Sequence, residues 1–140
     1  MSTLSYSGLN DALVEACPEL AAELAAMREE WAGEEPGPHV VFGDIFAAHL
    51  VRLATQPDGE ATAARMRAAL AFIERLACDP DMEVRCVAQV SVLESVLDRP
   101  GAFRRVEAEM GPCTIRLARE VARSWGRTID EFGEAGVMAK

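Results

Sequence analysis

Glu94, His39, His49, four cysteines and a run of arginines are the residues of this 140-residue chain whose types could support chemistry. Neither histidine has a serine or cysteine neighbour that marks it as the base of a nucleophile. No GxSxG, P-loop or HExxH stretch occurs. The absence of any Glu-x-x-His removes a carboxylate-bridged di-iron bundle. Cys17, Cys78, Cys86 and Cys113 form no CxxC pair, and each borders a helical apolar pattern. They are expected as buried thiols acting as small hydrophobes, with no metal and no cofactor implied. Glu94 is the one polar residue that apolar neighbours surround, sharing a helical face with Val87, Val90 and Leu97. A buried carboxylate needs a partner or stays protonated. Arg85 lies too far along the same helix, so His49 or Arg52 on another helix is expected to hold Glu94 and fix the packing. The catalytic alternative makes Glu94 a general base in a cleft near His49. Enzyme is the minority reading.

Arg116, Arg119, Arg123 and Arg127 recur every three or four residues and form a basic stripe, with Arg104 and Arg105 upstream. Such a stripe could grip phosphate or nucleic acid. Glu107, Glu109 and Glu120 dilute it, and the chain carries a net charge of −9. The stripe is therefore read as a solvated helix face.

The charge is unevenly placed. Residues 1–60 hold 11 acids against Arg28 and Arg52 alone, giving −9, whereas 12 acids and 12 bases cancel in residues 61–140. An acidic surface repels nucleic acid and anionic lipid and attracts basic partners. The candidate partner-binding residues are Glu19, Glu23, Glu29, Glu30, Glu34 and Glu35, with Trp31 among them as an anchor. Trp31 also completes an apolar stripe, and core is its leading reading.

The elements that must position these side chains are helical. Alanine, leucine, arginine and glutamate dominate, and β-branched residues are thin outside 84–96. Leu9, Leu13, Ala16, Leu20, Leu24, Met27 and Trp31 mark one stripe that Pro18 divides into helices 8–16 and 18–32. The loop GEEPGPH, 33–39, includes His39. Phe42 to Leu53 form a third helix, and Asp58 caps a fourth that carries Met66, Leu70 and Ile73. Asp79 and Pro80 open a fifth, 80–97, whose apolar face of Val84, Val87, Val90, Leu93 and Leu97 makes it central. Phe103 to Met110 and Ile115 to Trp125 supply two more. The expectation is an all-α, compact single-domain bundle of six to seven helices over 1–126, with 127–140 as a frayed tail. Without a basic, apolar leader or a membrane-length run, a cytoplasmic protein is expected.

ALAFIERLACDPDMEVRCVAQVSVLESVL resembles a single HEAT repeat, giving a HEAT-like helix pair at 61–97. That resemblance implies a structural tie through Asp79 and Arg85. Across more of the chain, the order ACPEL, VFGDIFAAHL, FIERLACDPDMEV, SVLESVL, MGPCTIRL and SWG resembles a poorly characterised bacterial family of small helical proteins associated with immunity in polymorphic toxin systems. The resemblance implies binding in an immunity role and carries no catalytic residue over; with the acidic surface, the expectation is a cytosolic immunity protein that binds and neutralises a cognate toxin with a basic face. A helical adaptor or regulatory module is the alternative, and a homodimer is compatible with both.

Overall fold

The structure, a computed structural model, describes residues 4–128. Among these residues it is all-α, with seven helices and no strand. Helix α1 spans Leu9–Ala16, and a 3-10 turn at Pro18–Leu20 leads into α2, Ala21–Glu30. Proline stands in the first turn there, where its missing N–H costs nothing. The same device starts α3, 38–55, at Pro38, α6, Pro100–Glu107, and α7, Pro112–Ser124. Helix α4 is Glu60–Ala77 and α5 covers 82–97. At the far end, Gly126 adopts φ +74°. Its N–H reaches Arg123 O and the Arg127 N–H reaches Ala122 O, a glycine-dependent helix stop.

Helix α5 is central: α3, α4, α6 and α7 all pack on it. The closest facing segments are two π-helical stretches, Phe42–Ala47 in α3 and Val87–Leu93 in α5. Phe42, Phe46 and Phe72 meet beside them with ring centroids 5.7 to 6.1 Å apart, and all three are fully buried. Gly43 faces the α5 backbone: a β-carbon built there would make an ordinary contact, 3.7 Å from Ser91 O.

Several sequence expectations shift in the structure. Val90 is 43% exposed, and the buried set on α5 is Val84, Val87, Ala88, Ser91, Val92, Leu93, Val96 and Leu97. A π turn takes more residues than an α turn, so the apolar face rotates past Val90. Helix α5 begins at Met82 with Asp81 as its cap, accepting from the Glu83 N–H at 2.9 Å, and Pro80 stays in the turn before it. Asp58 does not cap α4; Gly59 occupies that position while Asp58 pairs with Arg105. His39 lies in the first turn of α3 instead of the loop, with Nδ1 2.6 Å from Ser91 Oγ. Trp31 follows α2 and is 39% exposed, so it is not core. Of the frayed tail, residues 129–140 lie outside the described residues.

Candidate functional site

The acidic region is assembled from α1, α2 and the segment after it. Leu9, Leu13, Leu20 and Leu24 bury one stripe, which turns the intervening acids outward. Trp31 ends α2, and the left-handed pair Ala32 (φ 49°) and Gly33 (φ 93°) then reverses the chain. That reversal brings Glu35 back to Arg28, whose Nη2 lies 2.6 Å from Glu35 and 3.0 Å from Asp11. Asn10 Nδ2 donates to the same carboxylate at 3.0 Å and to Pro36 O at 2.8 Å. Hydrogen bonding from Arg28 holds the Glu35 carboxyl below its usual range, with Asn10 adding to the effect.

The candidate binding residues thus divide into two groups. Glu19 contacts His49 at 2.9 Å, Glu23 contacts Arg52 at 3.2 Å, and Glu35 is held by Arg28. These three brace α2 against its neighbours. Glu29, Glu30 and Glu34 are exposed and border the exposed Trp31.

The expected partnership of Glu94 with His49 or Arg52 does not form: Glu19, in the turn before α2, pairs with His49, and Glu23 of α2 pairs with Arg52. Glu94 is half-buried on α5. His49 is buried, and burial pushes its pKa below the ordinary value in spite of the Glu19 carboxylate 2.9 Å away. Burial dominates here because the ring is 7% exposed while the carboxylate stays in partial contact with water at 24%. An ionised carboxylate only accepts, so His49 Nε2 donates this bond to Glu19. Asp79 and Arg85 hold the turn before α5 and tie it to the N-terminal segment: the Asp79 carboxylate accepts from the Asp81 N–H at 2.8 Å and the Leu4 N–H at 3.3 Å, while Arg85 Nη1 donates to Asp79 O at 2.7 Å. Arg116, Arg119, Arg123 and Arg127 are exposed, in keeping with a solvated stripe.

A second constellation escaped the sequence reading. Cys78 and Cys113 form a disulfide between the end of α4 and the first turn of α7, so these two are not buried thiols. Cys17 is buried and free, with burial and then the Glu19 charge pushing its thiol up to about 12, and Cys86 is half-buried and free. Glu74, one turn before Cys78, caps α7 from outside it. Its Oε2 accepts the Cys113 N–H at 2.9 Å, and its Oε1 accepts the Thr114 N–H at 2.9 Å and the Thr114 hydroxyl at 2.6 Å. Burial alone would raise the Glu74 pKa, but these bonds and the Arg116 charge outweigh it and hold the carboxyl below its usual range. The signals present in the sequence were Gly111-Pro112, read only as punctuation, and a glutamate at i−4 from a cysteine. The partners lie 39 and 40 residues apart, beyond any local pattern.

Among the described residues no helix is long and apolar enough to cross a membrane. No curated protein and no solved structure matches the chain. One family does, over residues 10–126, which takes in both constellations from Asn10 to the end of α7. The chain therefore belongs to the DUF7674 family, a domain of unknown function.

Proposed function

We propose that this chain is a cytosolic immunity protein that binds a cognate bacterial toxin and blocks it stoichiometrically, through the face carrying Glu29, Glu30, Trp31 and Glu34. The observation that carries the reading is the exposure of Trp31 (39%) among acids that make no ion pair among the described residues, beside a set of acids that do. A large aromatic on the surface ringed by charge is the composition of a binding hot spot, and the surrounding charge speeds encounter with a basic face. Glu19, Glu23 and Glu35 serve by holding α2 and the following turn in place. The fitting partner surface is basic, such as the substrate cleft of a nucleic-acid- or nucleotide-directed toxin.

The test is affinity capture from the native cell extract at low and high salt, followed by expression of the captured partner alone and together with this chain. A partner that is toxic alone, neutralised on co-expression and lost on Trp31→Ala with Glu29, Glu30 and Glu34 reversed to lysine supports the reading. A harmless partner bound by the same face replaces immunity with an adaptor role. Capture unaffected by those changes sinks the acidic-face reading.

A further inference from the structure

Glu74 on α4 and Cys78, the residue capping its C-terminus, are one turn apart, and the first turn of α7 sets Cys113 opposite them. One ligand atom from each of the three lies within 4.8 Å of the others. Cys78 is exposed and the other two are half-buried, so the cluster opens to solvent without disturbing the core. The carboxylate is already oriented. Two donors fill Glu74 Oε1, whereas Oε2 accepts one N–H and lies 3.4 Å from Cys78 Sγ. Tetrahedral zinc with two sulfurs and an oxygen sets its ligand atoms roughly 3.3–3.8 Å apart. Modest side-chain rotation reaches that spacing once the sulfurs are no longer bonded to each other.

We propose that reduction of the Cys78–Cys113 disulfide opens a site for a thiophilic divalent cation of the zinc class, held by Cys78 Sγ, Cys113 Sγ and Glu74 Oε2. Two thiolates select such a cation over magnesium or calcium. The Cys113 and Thr114 N–H groups and the Thr114 hydroxyl serve as the outer donors that fix the carboxylate ligand. Three anionic ligands and a dication leave one negative charge, and Arg116 on α7 acts on the same carboxylate. The cytosol proposed above keeps thiols reduced, so the ligand set would be available there. The site uses no residue of the acidic face, and its existence does not rest on toxin binding.

The chemistry closes with a dithiol as the reductant. One thiolate of the dithiol attacks the exposed Cys78 Sγ, the Sγ–Sγ bond breaks, and its electron pair leaves on Cys113 Sγ, which takes a proton. The second thiolate of the dithiol resolves the mixed disulfide, releasing Cys78 Sγ as a thiolate that takes a proton and leaving an oxidised, cyclic reductant. The cation then displaces one proton from each protein thiol as the two metal–sulfur bonds form.

The full chain, reduced and freed of reductant without air, is titrated with Co²⁺ alone, with circular dichroism confirming its helices. One equivalent bound with thiolate-to-cobalt charge-transfer absorption is expected, and none in the oxidised chain. The double variant Cys78→Ser/Cys113→Ser loses the band, Cys86→Ser keeps it, and Thr114→Val weakens Co²⁺ binding about 10-fold. Absence of the band in the reduced wild type, its persistence in the double variant, or unchanged affinity in Thr114→Val overturns the three-ligand site. Should the double variant not fold, the oxidised and reduced wild type still decide the matter.

Discussion

A β-carbon placed on Gly111 would lie 2.5 Å from Glu74 Cδ and 2.6 Å from Oε1. The carboxylate cannot simply move aside, because three donors at the start of α7 hold it. Gly111→Ala is expected to lower stability by about 1–3 kcal/mol, measured as a shift of the denaturant midpoint. Gly101→Ala, where a new β-carbon meets nothing within 4 Å, is the control, and equal effects would refute the account. Glu74 and His49 also set the acid response. Both have folded-state pKa values below the ordinary ones, so the stability each contributes is present above its unfolded value and is lost as pH falls through the folded one. For His49 the loss begins as pH drops below about 6.5. His49→Gln is expected to flatten the stability–pH curve in that region and leave the lower, carboxylate part unchanged. An unaltered slope would remove His49 from the account. Neither role was legible in the sequence. Glu74 is one of many helical glutamates there, and His49 pairs with a residue 30 positions away.

At the scale of elements, the helices were legible because their signals are local. Pro18 opens a helical segment as expected, and the periodicity of Leu9, Leu13, Leu20 and Leu24 matches a buried stripe, whereas Pro38 and Pro112, read as loop and punctuation, also stand in first turns and Pro80 does not. The two π-helical stretches were not legible. They lie where α3 and α5 pack against each other, a meeting of distant segments that no local pattern signals. The consequence is a face rotated past Val90, which an α period places inside. The link from α4 to α7 was equally hidden, since cysteine spacing alone names no pair. It closes a segment of 35 residues that contains α5 and α6. A chain-entropy argument gives about 4 kcal/mol for a closure of that length. Thermal unfolding with and without reductant, metal-free, is expected to show a clear drop in Tm in the reduced chain. An unchanged Tm would mean the Glu74 contacts alone hold α7 in place.

At the scale of the molecule, the net charge of −9 lies entirely in the first 60 residues, which supply α1, α2 and α3 with their connecting turns. A basic partner should therefore associate faster at low ionic strength. Reversing Glu29, Glu30 and Glu34 to lysine is expected to slow association with it about 10-fold at low salt, with less effect at high salt. Stopped-flow association rates across a salt series check this, and a rate indifferent to both charge and salt would place binding elsewhere. The charge asymmetry, helical class, helix count and most breaks are properties of the sequence by itself, because composition, proline position and short-range periodicity act within a few residues of chain. Which glutamates brace the fold and which face outward, whether Trp31 is core or surface, and the meeting of Glu74, Cys78 and Cys113 were decided only in three dimensions. Each depends on side chains brought together by the packing of separate helices, and the free energy of such contacts is set by that packing and not by neighbours in sequence.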